Sequence, residues 1–207
     1  APVVAEICAR LDGLPLAIEL AAARLRLFSV EELRDRLRSR LDVLRGGARD
    51  LPARQRTLRG TIEWSHDLLD DEERAVFALL SAFPSATIDA VEAVAADLEW
   101  LADADVIEPL ESLVGKSLVR SIADGRGQRL SMLETIRDFA AERLDADASR
   151  ASAVREAHAV HYAGFARARL AGLRSDGRSA ALDQLAAELG NLTTAWRHFV
   201  ACGDLVN

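Results

Sequence analysis

The stretch from Lys116 to Leu133, KSLVRSIADGRGQRLSML, decides the fold of this chain. Two short apolar runs, Ser117 to Ile122 and Gln128 to Leu133, flank the connection Ala123-Asp124-Gly125-Arg126-Gly127. Glycine and aspartate supply the backbone freedom that a tight connection needs, so this pattern predicts a β-hairpin with a glycine-rich loop. The residues that follow, Glu134 to Asp145, have the composition of a closing helix.

Helical periodicity precedes the hairpin. Apolar residues recur at helical spacing in four runs, and Thr87 is a predicted N-cap for the third of them. Several helices followed by a β-hairpin are typical of a winged-helix fold. The runs are Leu58, Ile62, Ser65 and Leu69; Val76, Phe77, Leu80 and Phe83; Ile88, Val91 and Val94; and Ile107, Leu110, Leu113 and Val114.

Both flanks of this region are also predicted to be helical. In the first flank, Gly13 and Pro15 mark the end of one helix and the start of another, and Ser29 with Glu32 predicts a capping box. The last flank has one stripe at Val154, Ala157, His161 and Phe165 and another at Leu182, Leu185, Leu189 and Leu192, separated by Gly172 to Gly177.

Three blocks carry a family resemblance: Gly13-Leu14-Pro15-Leu16-Ala17, then Arg56 to Ser65 (RTLRGTIEWS), then Arg129 to Leu144 (RLSMLETIRDFAAERL). The first resembles the GLPLA motif of the STAND (NB-ARC-like) ATPases. The other two resemble the winged-helix segment of bacterial LuxR-type and SARP-type STAND transcriptional regulators. The resemblance implies a mainly α fragment: a helical lid remnant at 1–47, a linker at 48–56, a winged-helix domain with one β-hairpin at 57–146, and the first helical hairpin of a tetratricopeptide-like sensor array at 147–207.

The resemblance also implies a divided nucleotide site. Gly13 and Leu14 would shape a turn in which Pro15 contacts the adenine of ADP or ATP. Leu133 stands where many relatives of this class have a phosphate-binding histidine, and Arg137 could supply a compensating charge. ADP or ATP with Mg is therefore expected in the parent protein, and no cofactor is expected to bind tightly to this fragment.

No catalytic activity is expected from the chain itself. Gly115-Lys116-Ser117 has the end of a phosphate-binding loop, but position 110 is Leu110 where the motif needs glycine. The resemblance implies that the winged helix works as an intramolecular latch on an upstream ATPase core of the same chain. It also implies that an inducer or a protein binds to the sensor, and that the protein self-associates on activation.

Charge bears on the alternatives. The formal net charge is −7, and the segment from Thr57 to Ala146 has 8 basic and 19 acidic residues. Such a surface repels phosphate backbones, which argues against direct DNA binding by the winged helix. A DNA-binding winged-helix transcriptional regulator and a helical protein-interaction scaffold remain the two competing hypotheses.

His158 and His161 lack a third ligand for a metal. The two separated cysteines and the absence of a long apolar run predict a cytoplasmic protein without a membrane span.

Overall fold

The computed structural model describes residues 2–10, 13, 18, 22, 25, 28–36, 58–123, 125, 127–174 and 177–203. The protein is mainly helical with one two-stranded antiparallel sheet, which confirms the predicted fold class. Its contacts divide it into two compact units, Ala1–Arg74 with Leu133–Phe139, and Ala75–Met132 with Ala140–Asn207. In the part of the chain described, no helix combines the length and the apolarity that a membrane span requires.

Among its described residues, the first unit contains α1 (Pro2–Arg10), α2 (Val30–Arg36) and α3 (Leu58–Asp67). The predicted capping box is present at the start of α2, where the Ser29 N–H donates to Glu32 Oε2 at 2.9 Å and the Glu32 N–H donates to Ser29 Oγ at 3.2 Å. Phe139 is fully buried and meets His66 edge-on, with ring centroids 5.5 Å apart.

Helices α4 (Asp71–Leu80), α5 (Ile88–Ala96) and α6 (Ile107–Gly115) precede the hairpin, and α7 (Glu134–Asp145) follows it. Helix α5 begins as predicted, because Thr87 accepts a hydrogen bond from the Ala90 N–H at 3.2 Å. Helix α4 begins with a second capping box, which was not predicted: the Asp70 N–H donates to Glu73 Oε2 and the Glu73 N–H donates to Asp70 Oδ1. The predicted core positions Phe77, Val91 and Leu113 are fully buried.

The wing consists of β1 (Arg120–Ala123) and β2 (Gln128–Ser131), with Ser121 opposite Leu130 in the antiparallel register. Both strands are shorter than the apolar runs predicted. Ser117 has a φ of 59°, and the Leu118 N–H donates to the Leu113 carbonyl, so the residues before β1 form the C-terminal cap of α6. At the other edge Ala86 forms a single bridge to Leu130, which adds a one-residue third strand.

In the described part of the chain after α7, the α-helices are α8 (Ala148–Arg169), α9 (Arg178–Ala187) and α10 (Leu189–Cys202). Helix α8 packs against α5, α9 and α10, and all of these lie in the second unit. Helices α9 and α10 together form the helical hairpin.

The predicted stripes in this region were partly wrong. The chain breaks at Glu188, which lies between α9 and α10, and Leu182 and Leu189 are exposed. On α8 the fully buried side chains include His158 and Tyr162, whereas His161 and Phe165 are only half-buried. Ring contacts decide this difference, because Phe83 packs edge-on against His158 with centroids 4.8 Å apart.

Candidate functional site

Helix α6 directly precedes the wing, and its outward side chains decide what this surface can contact. Pro109, Leu110 and Leu113 are buried, while Glu108 and Glu111 are exposed. The helix itself carries no cation. Readers of the major groove use Arg, Lys, Asn or Gln on this surface, so α6 offers duplex DNA an unfavourable charge.

Two exposed cations stand next to this helix. Lys116 is the C-cap residue of α6, and Arg120 begins β1. Lysine and arginine near a groove-facing helix can contact phosphates without reading bases. The described surface beside α6 therefore combines an acidic helix with two exposed cations, Lys116 at its C-terminal end and Arg120 at the start of β1.

An apolar groove borders α6. Its cavity volume is about 250 Å³, and Ile107, Leu110 and Val114 form one wall. Ile88 and Leu130 face them, and Glu111 and Ser121 lie at the polar positions of the lining.

The wing carries an arginine that is already engaged. Arg129 on β2 forms a two-pronged ion pair with Glu188, with Nη1 to Oε1 at 2.6 Å and Nη2 to Oε2 at 3.1 Å. Its Nε and Nη2 also donate to Ser85 Oγ, at 3.2 and 2.9 Å. The side chains of Arg129 and Glu188 are 13% and 10% exposed. Planar guanidinium–carboxylate pairs of this kind are strong and geometrically specific.

Asn191 extends this ion pair into a buried network. Its amide nitrogen donates to Glu188 Oε2 at 2.7 Å and to the Ser85 carbonyl at 2.8 Å. The amide oxygen lies 3.3 Å from His158 Nε2. Because that oxygen is an acceptor, the neutral imidazole of His158 carries its proton on Nε2. Arg129, Glu188, Asn191, Ser85 and His158 are called the junction network below.

Burial and hydrogen bonding set the protonation of this network. Burial lowers the pKa of His158 to about 4, against the opposing effect of its hydrogen bond to Asn191, so the imidazole is neutral at pH 7. Burial alone would raise the pKa of Glu188, but hydrogen bonds from Arg129 and Asn191 outweigh it and lower that pKa below its usual value. The network therefore contains one ionised pair and a neutral histidine.

The junction network was not predicted as a site. The sequence singled out Arg129 only as the start of the Arg129 to Leu144 block, and it gave Glu188 and Asn191 no role in a site. A glutamate and an asparagine three residues apart, in an otherwise alanine-rich and leucine-rich segment, were the signal that could have revealed it. Buried polar side chains of this kind require partners.

The residues of the implied nucleotide site are only partly described. Gly13 has a φ of 65° and its N–H donates to the Cys8 carbonyl at 3.0 Å, so the predicted turn is present at the end of α1. Leu14 and Pro15 lie outside the described residues. Leu133 precedes α7, where its carbonyl accepts from the N–H groups of Ile136 and Arg137 at 2.9 Å. The contacts of Leu133 and Arg137 with a nucleotide stay a prediction.

The two histidines weighed for a metal have other contacts. His158 belongs to the junction network, and His161 lies edge-on to Tyr162 with ring centroids 4.9 Å apart. Among the described residues, no three or more His, Cys, Asp and Glu side chains are grouped so that they could hold a metal ion.

Residues 69–145 match the winged helix-turn-helix domain family. This match and the order of helices, bridge and wing define the region as a winged-helix domain.

The chain is 47% identical over 148 residues to proteins of Mycobacterium tuberculosis and Mycobacterium bovis whose names describe HTH-type transcriptional regulators. These 148 residues are 70% of this chain but only 16% of those relatives. It is also 36% identical over 160 residues to an uncharacterized protein of Mycobacterium tuberculosis, covering 76% of this chain and 40% of that protein. No solved structure matches the chain.

These findings confirm the resemblance to bacterial transcriptional regulators and the winged helix within it. The relatives' names describe regulators rather than enzymes, which is compatible with the expected lack of catalysis. The names also favour a DNA-binding regulator, the hypothesis that the charge distribution had ranked second. The nucleotide-switched ATPase assignment is tested by neither comparison.

Proposed function

We propose that this chain is part of a bacterial transcriptional regulator that binds DNA, and that its winged-helix domain contributes to that binding. The observation that carries the proposal is the complete winged-helix order of α4, the Ala86 bridge, α5, α6 and the wing within a segment that matches the winged helix-turn-helix family. The relatives named as HTH-type regulators support the same function.

The charges predict how such binding would work. Lys116 and Arg120 are exposed beside α6 and would contact phosphates, while Glu108 and Glu111 oppose close approach of the helix to the duplex. Binding is thus expected to be weak, strongly dependent on salt, and based on the backbone more than on bases. A longer parent protein would supply further contacts.

Fluorescence anisotropy with a labelled 30-base-pair duplex tests this function, at salt concentrations from 50 to 200 mM. Reversing both Lys116→Glu and Arg120→Glu should weaken binding by at least about 10-fold at 50 mM salt and reduce the salt slope by about 2, one for each phosphate contact. Arg178→Glu with Arg197→Glu, at exposed positions on α9 and α10, is the matched charge control, because both double variants change the net charge by the same amount. Equal affinities for the two double variants would overturn the assigned surface.

A nucleotide-switched latch is the second candidate, and the acidic face of α6 favours it, because that face suits a basic protein surface better than DNA. In this version the winged helix packs on an ATPase core in the same parent chain when ADP is bound. Inducer binding to the sensor and exchange for ATP with Mg then shift the population towards an open state that self-associates. The domain limits 1–47, 48–56, 57–146 and 147–207 belong to this proposal.

Its test uses the full-length parent. Pro15→Ala should weaken ADP retention by about 10-fold if the proline contacts adenine, and Arg137→Ala should weaken it if the guanidinium faces the phosphates. Pro2→Ala, exposed in the first turn of α1, is the control for losing a proline. Unchanged ADP affinity in both site variants would refute these contacts. If the parent protein binds neither ADP nor DNA, the helical protein-interaction scaffold is the hypothesis that remains.

A further inference from the structure

The wing of this domain is joined to the helical hairpin by the junction network. Arg129 lies on β2 and Glu188 lies between α9 and α10, 59 positions later in the chain. Ser85, in the loop between α4 and α5, accepts from both Arg129 and Asn191. Three segments that are distant in sequence therefore meet around a single carboxylate.

The backbones approach closely at the same place. A Cβ added at Gly190 would lie 3.2 Å from the Cβ of Pro84, so a glycine allows α10 to rest against the loop before α5. Beside it, a cavity of about 160 Å³ is bordered by Gln128 of β2 and by Phe165 and Gln184 of the helices. On β2, Arg129 therefore faces the helical hairpin, while Gln128 at the start of the strand is exposed.

This arrangement occupies the arginine that the wing would present to a nucleic acid. Arg129 uses Nη1 and Nη2 on Glu188 and Nε on Ser85, and little of its side chain reaches solvent. An arginine held in this way cannot release counterions from a phosphate backbone. Removing the charge of Glu188 would leave the guanidinium without its buried counter-ion, and a phosphate oxygen could replace it.

We propose that the Arg129–Glu188 ion pair is an autoinhibitory contact, through which the helical hairpin withholds the wing from DNA. This inference rests on the DNA-binding function proposed above and adds its regulation. Movement of the hairpin, carrying Glu188 away from β2, would expose Arg129 as an additional phosphate ligand. The position of the hairpin would thus control the affinity of the winged helix for DNA.

The test compares Glu188→Gln with Glu156→Gln in the same anisotropy assay. Both variants remove one negative charge from the helical region, but Glu156 is half-exposed on α8 and pairs with His198 instead of the wing. Glu188→Gln should bind DNA at least about 5-fold more tightly than Glu156→Gln, with a salt slope steeper by about 1. Adding Arg129→Gln to Glu188→Gln should abolish this gain.

A second variant protects the test against misfolding. Gly190→Ala places a methyl group against Pro84 and should loosen the hairpin without changing any charge. Far-UV circular dichroism checks that each variant is folded, and hydrogen exchange of the α9 and α10 amides measures docking. Faster exchange together with tighter DNA binding in Gly190→Ala supports the proposal, even if Glu188→Gln fails to fold.

The outcomes separate the two proposals. If Glu188→Gln and Gly190→Ala bind DNA no more tightly than Glu156→Gln, while Lys116→Glu with Arg120→Glu still weakens binding, then autoinhibition is wrong and the DNA-binding function stands. If neither the unchanged protein nor any variant binds duplex DNA at 50 mM salt, both proposals are overturned.

Discussion

Acidification should destabilise the fold through His158. The side chain is 1% exposed, and burial lowers its pKa from 6.5 to about 4, with His161 and His198 lowering it further and Asn191 and Glu188 opposing. In the unfolded chain the imidazole titrates near 6.5, so the unfolded state binds more protons between these two values. The stability that neutral His158 contributes is therefore present above pH 6.5 and is lost as the pH falls towards 4.

The size of the effect follows from the two pKa values. A difference between 6.5 and about 4 corresponds to about 3 kcal/mol when fully developed. Of this, about 2 kcal/mol should be lost between pH 7 and pH 5. The pKa of Glu188 is lowered, so protonation of that carboxylate lies below this window.

Urea unfolding followed by circular dichroism at pH 7, 6 and 5 measures the loss. His158→Gln is the matched variant, because its side-chain amide can still donate to Asn191 but does not titrate. The variant is expected to lose about 2 kcal/mol less than the unchanged protein over this range. His161→Gln should retain most of the dependence, since that ring is only half-buried, although burial lowers its pKa too. Parallel pH profiles for the unchanged protein and His158→Gln would refute the reasoning.

Three further predictions concern the winged helix, and urea unfolding at pH 7 measures all of them. Leu113→Ala, at a fully buried site, should cost about 3 kcal/mol, whereas Leu68→Ala, at 59% exposure, should cost less than about 0.5; similar losses would contradict the assigned core. Thr87→Ala should lower the free energy of unfolding by about 1 kcal/mol, because it removes the N-cap of α5, whereas Thr87→Ser should keep most of that stability. Equal stability of the alanine variant and the unchanged protein would show that the cap contributes nothing. Ser117→Gly should stabilise the fold by up to about 1 kcal/mol, since its φ is 59°; a destabilised variant would mean that the serine side chain has a role of its own.

Features encoded within a few residues were predictable from the sequence. The hairpin loop with Gly125, the cap at Thr87 and the capping box at Ser29 each depend on neighbours four positions away or fewer, and the structure has all three. The winged-helix class was predicted from the order of several helices followed by a β-hairpin. Short-range hydrogen bonds and turn geometry carry this information wherever the rest of the protein does not override it.

The features set by distant contacts were not predictable. Leu182 to Leu192 keeps a helical spacing through Glu188, yet the chain breaks there, where the carboxylate meets Arg129 from β2. In the same way, His158 is buried instead of His161 because Phe83 and Asn191 lie beside it. A periodic pattern identifies one face of a helix, but only the partner element decides which residues of that face are covered.

The loop from Pro84 to Ala86 has a consequence for engineering this protein. Pro84 lies against Gly190, Ser85 accepts a hydrogen bond from Arg129 in the junction network, and Ala86 pairs with Leu130. Because each of the three residues has its own partner, the contacts determine the length of the loop. One inserted residue would shift all three partners out of register. The turn at Ala102 and Asp103 is exposed, and a tag or fluorophore placed there should leave the wing and the helical hairpin intact.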